Sequence, residues 1–418
     1  MIEIHHNQQD SRLARFYRRA FLSYLSFIAF ATVLYGVLNI RIRASWPIGD
    51  WLINYRGGFV RRGLPGEAVL CIARTLHLSP SIVVTLIQLL FYAIFFYVVW
   101  KLLVMTNWSL WLVMLLFSPA TLAFPVLDPT AGYRKEIILF AGLGVLLLWL
   151  VRGSGRDVTI AVYLTLLCVV CVLSHEALLI FFPYLVAAVW IVIEDPLRVL
   201  KISVVPAIAT LLAAYLVVHH PGGDATASAI CASIGEPVTT PLSGLCGGAI
   251  ATLSSSTAMA RLDVMDNIHV FHYYTLYSVT GLLALLPVFM AFAALWRCRT
   301  LRHGLAILAG AAVMSSALSL TLFYYATDWG RWIYIHLVCI AFLLMMLDYR
   351  RQSNPDTAGR PPALSASRGK NIAVAVFMLA YIVCWDLPHV GAFSGRFGYF
   401  GLAHYVLTYR SHNHTVPL

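Results

Sequence analysis

Long apolar runs broken by short polar stretches set the rhythm of this chain. Taking roughly 17–25 predominantly apolar residues as the length of a membrane-crossing helix, the runs near 20–40, 82–104, 108–124, 136–151, 157–174, 176–193, 199–218, 270–296, 304–325, 331–347 and 371–387 predict about eleven spans. Some breaks are as narrow as Ser174-His175, which predicts tight helical hairpins. The pattern defines an all-α, polytopic helical membrane protein, one transmembrane domain over 1–418 with no internal repeat evident by eye. Longer polar segments fall at 41–80 and 219–269, with a linker at 348–370 and a tail at 388–418.

Composition supports lipid as the main solvent. Of 418 residues 60% are hydrophobic and 11% charged, with a mean hydropathy of +0.80, whereas a soluble domain is roughly 45–50% apolar. The net charge of +11 does not point to nucleic acid, because the basic residues stand singly between apolar runs. Arg12, Arg15, Arg18 and Arg19 precede the run Ala20 to Ile40, which is too long for a signal-peptide core and lacks a small-residue cleavage site, so it reads as a retained first span. Seventeen of the 29 Lys and Arg residues lie in segments that an N-in arrangement places inside, and those segments carry only seven of the 18 acids. This bias selects N-in and C-out. Segments 41–80, with juxtamembrane helices, 219–269 and 388–418 then face outward, while Arg350 to Lys370, rich in Pro, Ser and Ala, reads as a flexible cytoplasmic linker. An outer face so unequally elaborated is where function is sought.

Six of the eight cysteines lie in or beside apolar runs, where a thiol packs as a small apolar group; this includes the CxxC of Cys168 and Cys171. Cys231 and Cys246 share one polar loop and are candidates for a disulfide if that loop faces an oxidising compartment. No metal site is persuasive, since His5-His6 and His219-His220 are adjacent pairs in loops and the carboxylates lack a ligand spacing. Walker A, dinucleotide and nucleophile-elbow motifs are also missing from the sequence.

The most informative stretch runs from Gly49 to Glu67 and holds Asp50, Arg56, Arg61, Arg62, Glu67 and five glycines. Arginines on the outer face oppose the positive-inside bias, and a phosphate or pyrophosphate is the natural partner of an arginine fork. Glycines let backbone N–H groups approach such an anion. The bland alternative is an interfacial segment with Phe59, Val60 and Leu64 in the headgroup layer and the arginines snorkelling to lipid phosphates. Three further clusters fall at the outward helix ends: Asp128-Pro129 with Tyr133-Arg134-Lys135-Glu136, then His175-Glu176, then Asp328-Trp329-Gly330-Arg331-Trp332. Helix N-termini favour anions there. Singly each has a structural explanation, such as an i,i+3 pair of Asp328 with Arg331, or Asp128 and Glu136 neutralising Arg134 and Lys135. Together they place ionisable groups at membrane depth on one face, where such groups are costly.

At these residues the chain resembles bacterial polytopic enzymes of envelope glycan assembly, which use undecaprenyl-linked sugars on the periplasmic side. A first span followed by an outer loop with Asp50, aromatic residues and juxtamembrane helices looks like the GT-C glycosyltransferases, in which an acid in the first outer loop is the usual base. Size, spans and outer arginines also look like O-antigen or exopolysaccharide polymerases of the Wzy type. The likeness is architectural over the chain and motif-like from Asp50 to Glu67. It departs from GT-C enzymes in lacking paired aspartates in that loop and a large C-terminal soluble domain, and from the polymerases in having only Arg261 in the loop 219–269.

The resemblance implies a GT-C-like protein of the bacterial inner membrane with its active face in the periplasm. The expected activity is inverting transfer of a sugar from an undecaprenyl phosphate or pyrophosphate donor to a lipid-linked or glycan acceptor, with repeat-unit polymerisation as the alternative. Asp50 is the expected base, with Glu176 as substitute; Arg56, Arg61, Arg62, Arg134 and Arg331 are expected to hold the departing phosphate. Glu67, Asp128, Lys135, His175 and Asp328 complete the expected substrate site. No cofactor is implied, although a divalent cation bridging Asp50 or Glu176 to a pyrophosphate is compatible with these residues. Expected partners are membrane lipid and a glycan-assembly complex. A transporter or flippase of an anionic lipid or solute is the competing class.

Overall fold

The computed structural model describes residues 2–106, 108–153, 155–353 and 368–390, so most of the expected linker and nearly all of the expected tail lie outside the described residues. Regular structure among the described residues is helical throughout. The elements are α1 (Ile2–Arg41), α2 (Leu64–Leu76), α3 (Pro80–Val104), α4 (Leu110–Phe117), α5 (Phe124–Leu127), α6 (Pro129–Gly132), α7 (Glu136–Val151) and α8 (Asp157–Ser174). They continue as α9 (Phe182–Ile193), α10 (Pro196–His219), α11 (Asp224–Ser233), α12 (Thr257–Phe271), α13 (Tyr273–Leu295), α14 (Arg302–Tyr325), α15 (Trp329–Ser353) and α16 (Arg368–Val383).

Among the described residues eight helices are long and apolar enough to cross a membrane, fewer than the eleven spans expected. Three expected spans account for the difference. Glu136–Val151 and Ala373–Val383 are apolar but shorter. The run 108–124 is not one helix: α4 stops at Ser118, whose φ of −57° and ψ of 136° leave the helical region. Pro119 follows, and a proline disfavours the α conformation in the residue before it. The eight residues of α4 rise about 12 Å, against about 30 Å of hydrocarbon. After α4 the chain advances through a turn and the four-residue helices α5 and α6, each with Pro in its first turn.

Hydrogen bonds gather the loops at one end of the bundle. The Trp51 indole N–H donates to the Tyr133 carbonyl at 3.0 Å, the Arg61 N–H to the His220 carbonyl at 2.9 Å, and the Tyr273 hydroxyl to the Thr327 carbonyl at 3.2 Å. Segment 41–80 forms a 3-10 turn at Gly49–Leu52 and then α2, which buries Val69, Leu70 and Ala73 while exposing Ile72 and Leu76. A side chain at Gly66 would overlap the Ile53 carbonyl, so this glycine sets how closely α2 lies on the turn. The second long loop folds over the first: Asn54 Nδ2 donates to Ser233 Oγ at 3.0 Å, and Arg43 pairs with Glu236. Cys231 and Cys246 are joined in a disulfide within it. α15 runs through the centre, with 89% of its apolar stretch buried against 28% for α14. Its start is also crowded, since a side chain at Gly330 would overlap the Pro388 carbonyl.

Candidate functional site

The loop end carries a two-layered cluster of charged side chains. In the buried layer, Asp50 rides on the 3-10 turn with no exposed surface, 3.3 Å from Arg134 Nε and 3.5 Å from Lys135 Nζ. Neither Asp50 oxygen receives a directed hydrogen bond, so charge holds the group rather than alignment. Arg331 opens α15 and spends its guanidinium three ways: Nε lies 3.0 Å from Glu136 Oε1, one terminal nitrogen donates to Asp328 Oδ2 at 2.5 Å, and the other donates to His175 Nε2 at 3.0 Å. Its carbon centre sits 4.4 Å from the Trp332 ring, and that of Arg134 sits 4.8 Å from Trp46. Asp50 and Glu136, with Asp328 at the margin of the layer and its side chain 24% exposed, thus face Arg134, Lys135 and Arg331, so that formal charges balance.

The outer layer is smaller and reachable. Glu176 accepts from Arg62 Nε at both oxygens, 2.9 Å to Oε2 and 3.1 Å to Oε1, from an Arg62 terminal nitrogen at 2.5 Å to Oε1, and from Arg61 at 3.3 Å. The side chains of Arg61, Arg62 and Glu176 are 25%, 15% and 26% exposed, whereas those of Asp50 and Lys135 are 0% exposed. Two guanidinium groups meet one carboxylate, so this layer keeps a positive charge. The second loop aims Arg61, which donates to the carbonyls of Pro221 at 3.1 Å and Thr252 at 3.3 Å. Arg62 has a φ of 67°, the left-handed region that a non-glycine residue occupies at a cost of about 1–3 kcal/mol. Its carbonyl accepts a bond from buried Lys135 at 3.0 Å, which ties this strained residue to the inner layer.

Burial and pairing compete at each titratable group. Burial works to raise the Asp50 carboxyl, but Lys135 and Arg134 prevail and hold it well below the usual carboxylate range. Burial pushes the Lys135 ammonium down to about 8 against the opposing pull of Asp50. At Asp328, burial is outweighed by Arg331 and Arg134, so the carboxylate stays ionised. The His175 imidazole is driven well below its ordinary value by burial, then by Arg62 and Arg331. It is neutral, with Nε2 facing the Arg331 guanidinium at 3.0 Å and Nδ1 facing the Ala177 N–H at 3.3 Å, where the ring caps the 3-10 turn that follows.

Nine of the residues singled out in the sequence therefore converge: Asp50, Arg61, Arg62, Arg134, Lys135, His175, Glu176, Asp328 and Arg331. Arg56 and Glu67 instead pair with each other at 3.0 Å and brace the loop, where the Tyr55 N–H also donates to Glu67. Asp128 pairs with His389 and accepts from the Ala131 N–H at 3.3 Å as the cap of α6, rather than neutralising Arg134 or Lys135. Glu136 belongs to the cluster although it was not among the expected site residues; a carboxylate opening a fully apolar helix was its signal. His389 had none, being distant in sequence from its partner. Among the described residues no group of three or more His, Cys, Asp or Glu is placed to hold a metal ion. Comparison with models of protein families, with curated proteins and with solved structures finds no match to the chain.

Proposed function

We propose that the protein is a membrane glycosyltransferase that takes a sugar from a polyprenyl phosphate or pyrophosphate donor, with its charged cluster at the outward, periplasmic end of about eleven membrane crossings. The observation that carries this reading is the reachable fork of Arg61 and Arg62 closed on Glu176, set above a neutral buried layer of ions. An arginine fork on a positively charged rim suits a phosphate. Glu176 holds the place of that anion in the resting protein.

Donor phosphate competes with Glu176 for the guanidinium groups. Once displaced, the carboxylate loses the pairing that kept it a weak base, and it is available to an acceptor hydroxyl. The acceptor oxygen then bonds to the sugar C1, the C1–O bond to phosphate breaks with its electron pair on the phosphate oxygen, and the hydroxyl proton passes to Glu176. Arg61 and Arg62 stabilise the charge that grows on the leaving phosphate. Of the two candidate bases the reading takes Glu176, because Asp50 has no surface to present to a substrate. Asp50 is assigned the holding of Lys135 and Arg134, and through Lys135 of the Arg62 backbone.

The test is the profile of lipid-linked glycans in a strain lacking the gene. Accumulation of a glycan short by one sugar, relieved by the intact gene and not by Glu176→Gln, is the expected result. Accumulation of complete single repeats would move the reading to a repeat-unit polymerase, and an unaltered profile would contradict both.

A further inference from the structure

A cavity of about 590 Å³ lies near the loop end between α13 and α14, floored by the start of α15 and bordered by α12. Its size falls within the roughly 300–1,000 Å³ of small-molecule sites. Tyr274, Tyr277, Phe323, Tyr324 and Trp329 line it, and Arg261 of α12 stands at its edge. An interfacial belt of aromatic residues would account for Tyr274 and Tyr324, which are 66% and 47% exposed. It would not account for Trp329 and Tyr277, which turn inward and still face open space. Both are fixed: the Trp329 indole N–H donates to the Phe323 carbonyl at 3.0 Å, and the Tyr277 hydroxyl donates to the Pro388 carbonyl at 3.1 Å. The cavity is thus part of the packed structure.

Its chemistry is amphiphilic. The guanidinium of Arg261 stacks 3.7 Å from the Tyr324 ring and donates to the Tyr324 carbonyl at 3.3 Å, and no carboxylate among the described residues pairs with it. The flanking helix faces are apolar and exposed, with Leu282 at 64% and Leu320 at 65%. Trp329, which lines the cavity, is the chain neighbour of Asp328, so the groove lies beside the charged cluster. A positive rim, aromatic walls and apolar flanks beside a phosphate-binding fork fit one kind of molecule.

We infer that this groove docks a polyprenyl phosphate, its chain between α13 and α14 and its phosphate on Arg261. The inference rests on the transferase reading above for the choice of lipid. The groove is a second anion contact, distinct from the Arg61 and Arg62 fork, and it serves the carrier lipid of one substrate.

The test is native mass spectrometry of the full-length protein in detergent, offered undecaprenyl phosphate, dioleoyl phosphatidic acid or inorganic phosphate. Ser278 is exposed and lines the groove, so Ser278→Trp fills it without touching the core. Retention of undecaprenyl phosphate over phosphatidic acid, falling at least about tenfold in both Ser278→Trp and Arg261→Glu, is the expected result. No retention by the wild type, retention by either variant equal to that of the wild type, or equal retention of phosphatidic acid would overturn the groove. Thermal melting of each variant confirms that it is folded. Glycosyl transfer separates the two claims: the expected binding without transfer from any donor supports the groove and removes the transferase reading. Long-chain transfer that Ser278→Trp leaves unaltered overturns the groove and keeps the transferase.

Discussion

At the scale of single residues, the site divides into sealed groups that hold charge, Asp50, Lys135, Glu136 and Arg331, and groups that keep some exposed surface, Arg61, Arg62, Glu176 and Asp328. Glu176→Gln keeps shape and removes the base, so transfer is expected to fall at least about a hundredfold. The same variant frees Arg61 and Arg62 from their carboxylate, so affinity for inorganic pyrophosphate, followed by calorimetry, is expected to rise. A fall in both would make Glu176 structural. Lys135 gives a signature in pH. Its ammonium titrates near 8 in the folded protein against 10.5 as its ordinary value. Between those values the unfolded chain binds more protons, so stability is expected to rise with pH across that window and to gain nothing from this group below about 8. Thermal unfolding in detergent between these limits should show the rise in the wild type and lose it in Lys135→Met. The sequence made nine of the cluster residues legible because arginines and carboxylates at helix ends in an apolar chain have few bland explanations. It ranked Asp50 ahead of Glu176, because the burial of Asp50 depends on contacts distant in sequence.

At the scale of elements, length and apolar content were enough to find the eight long spans, but two of the expected spans are shorter helices and a third is broken. The run 108–124 is as apolar as its neighbours, but Pro119 within it, followed by Pro125 and Pro129 just beyond, makes this a broken segment, and backbone chemistry overrides composition there. The second loop was legible only as polar chain and a cysteine pair. Its helices α11 and α12, its disulfide and its carbonyls aimed at Arg61 depend on contacts distant in sequence. Replacing Cys231 and Cys246 with serine removes a crosslink across a separation of 15 residues, which corresponds to about 3 kcal/mol in the chain-entropy account. The expected result is a lower melting temperature together with weaker pyrophosphate binding, because Arg61 loses its support. Thiol labelling of the native protein at these positions should require prior reduction; labelling without reductant would contradict the crosslink.

At the scale of the whole molecule, the account needs the loop end to face outward. Reporters fused after Lys370 and between Arg297 and Arg302 are expected to read cytoplasm, and those at Gly222 and after Leu387 the outer compartment. The central claim is that the cluster at that end transfers a sugar rather than carrying a solute through. The most direct measurement places purified protein in liposomes with lipid extract from its native membranes, carrying radiolabelled polyprenyl-linked sugars, and follows the label by chromatography. Wild-type protein is expected to move label into a new covalent product, with Glu176→Gln at least about a hundredfold slower. Label that crosses the bilayer with no new product, equally in both proteins, would contradict the account and make this a transporter.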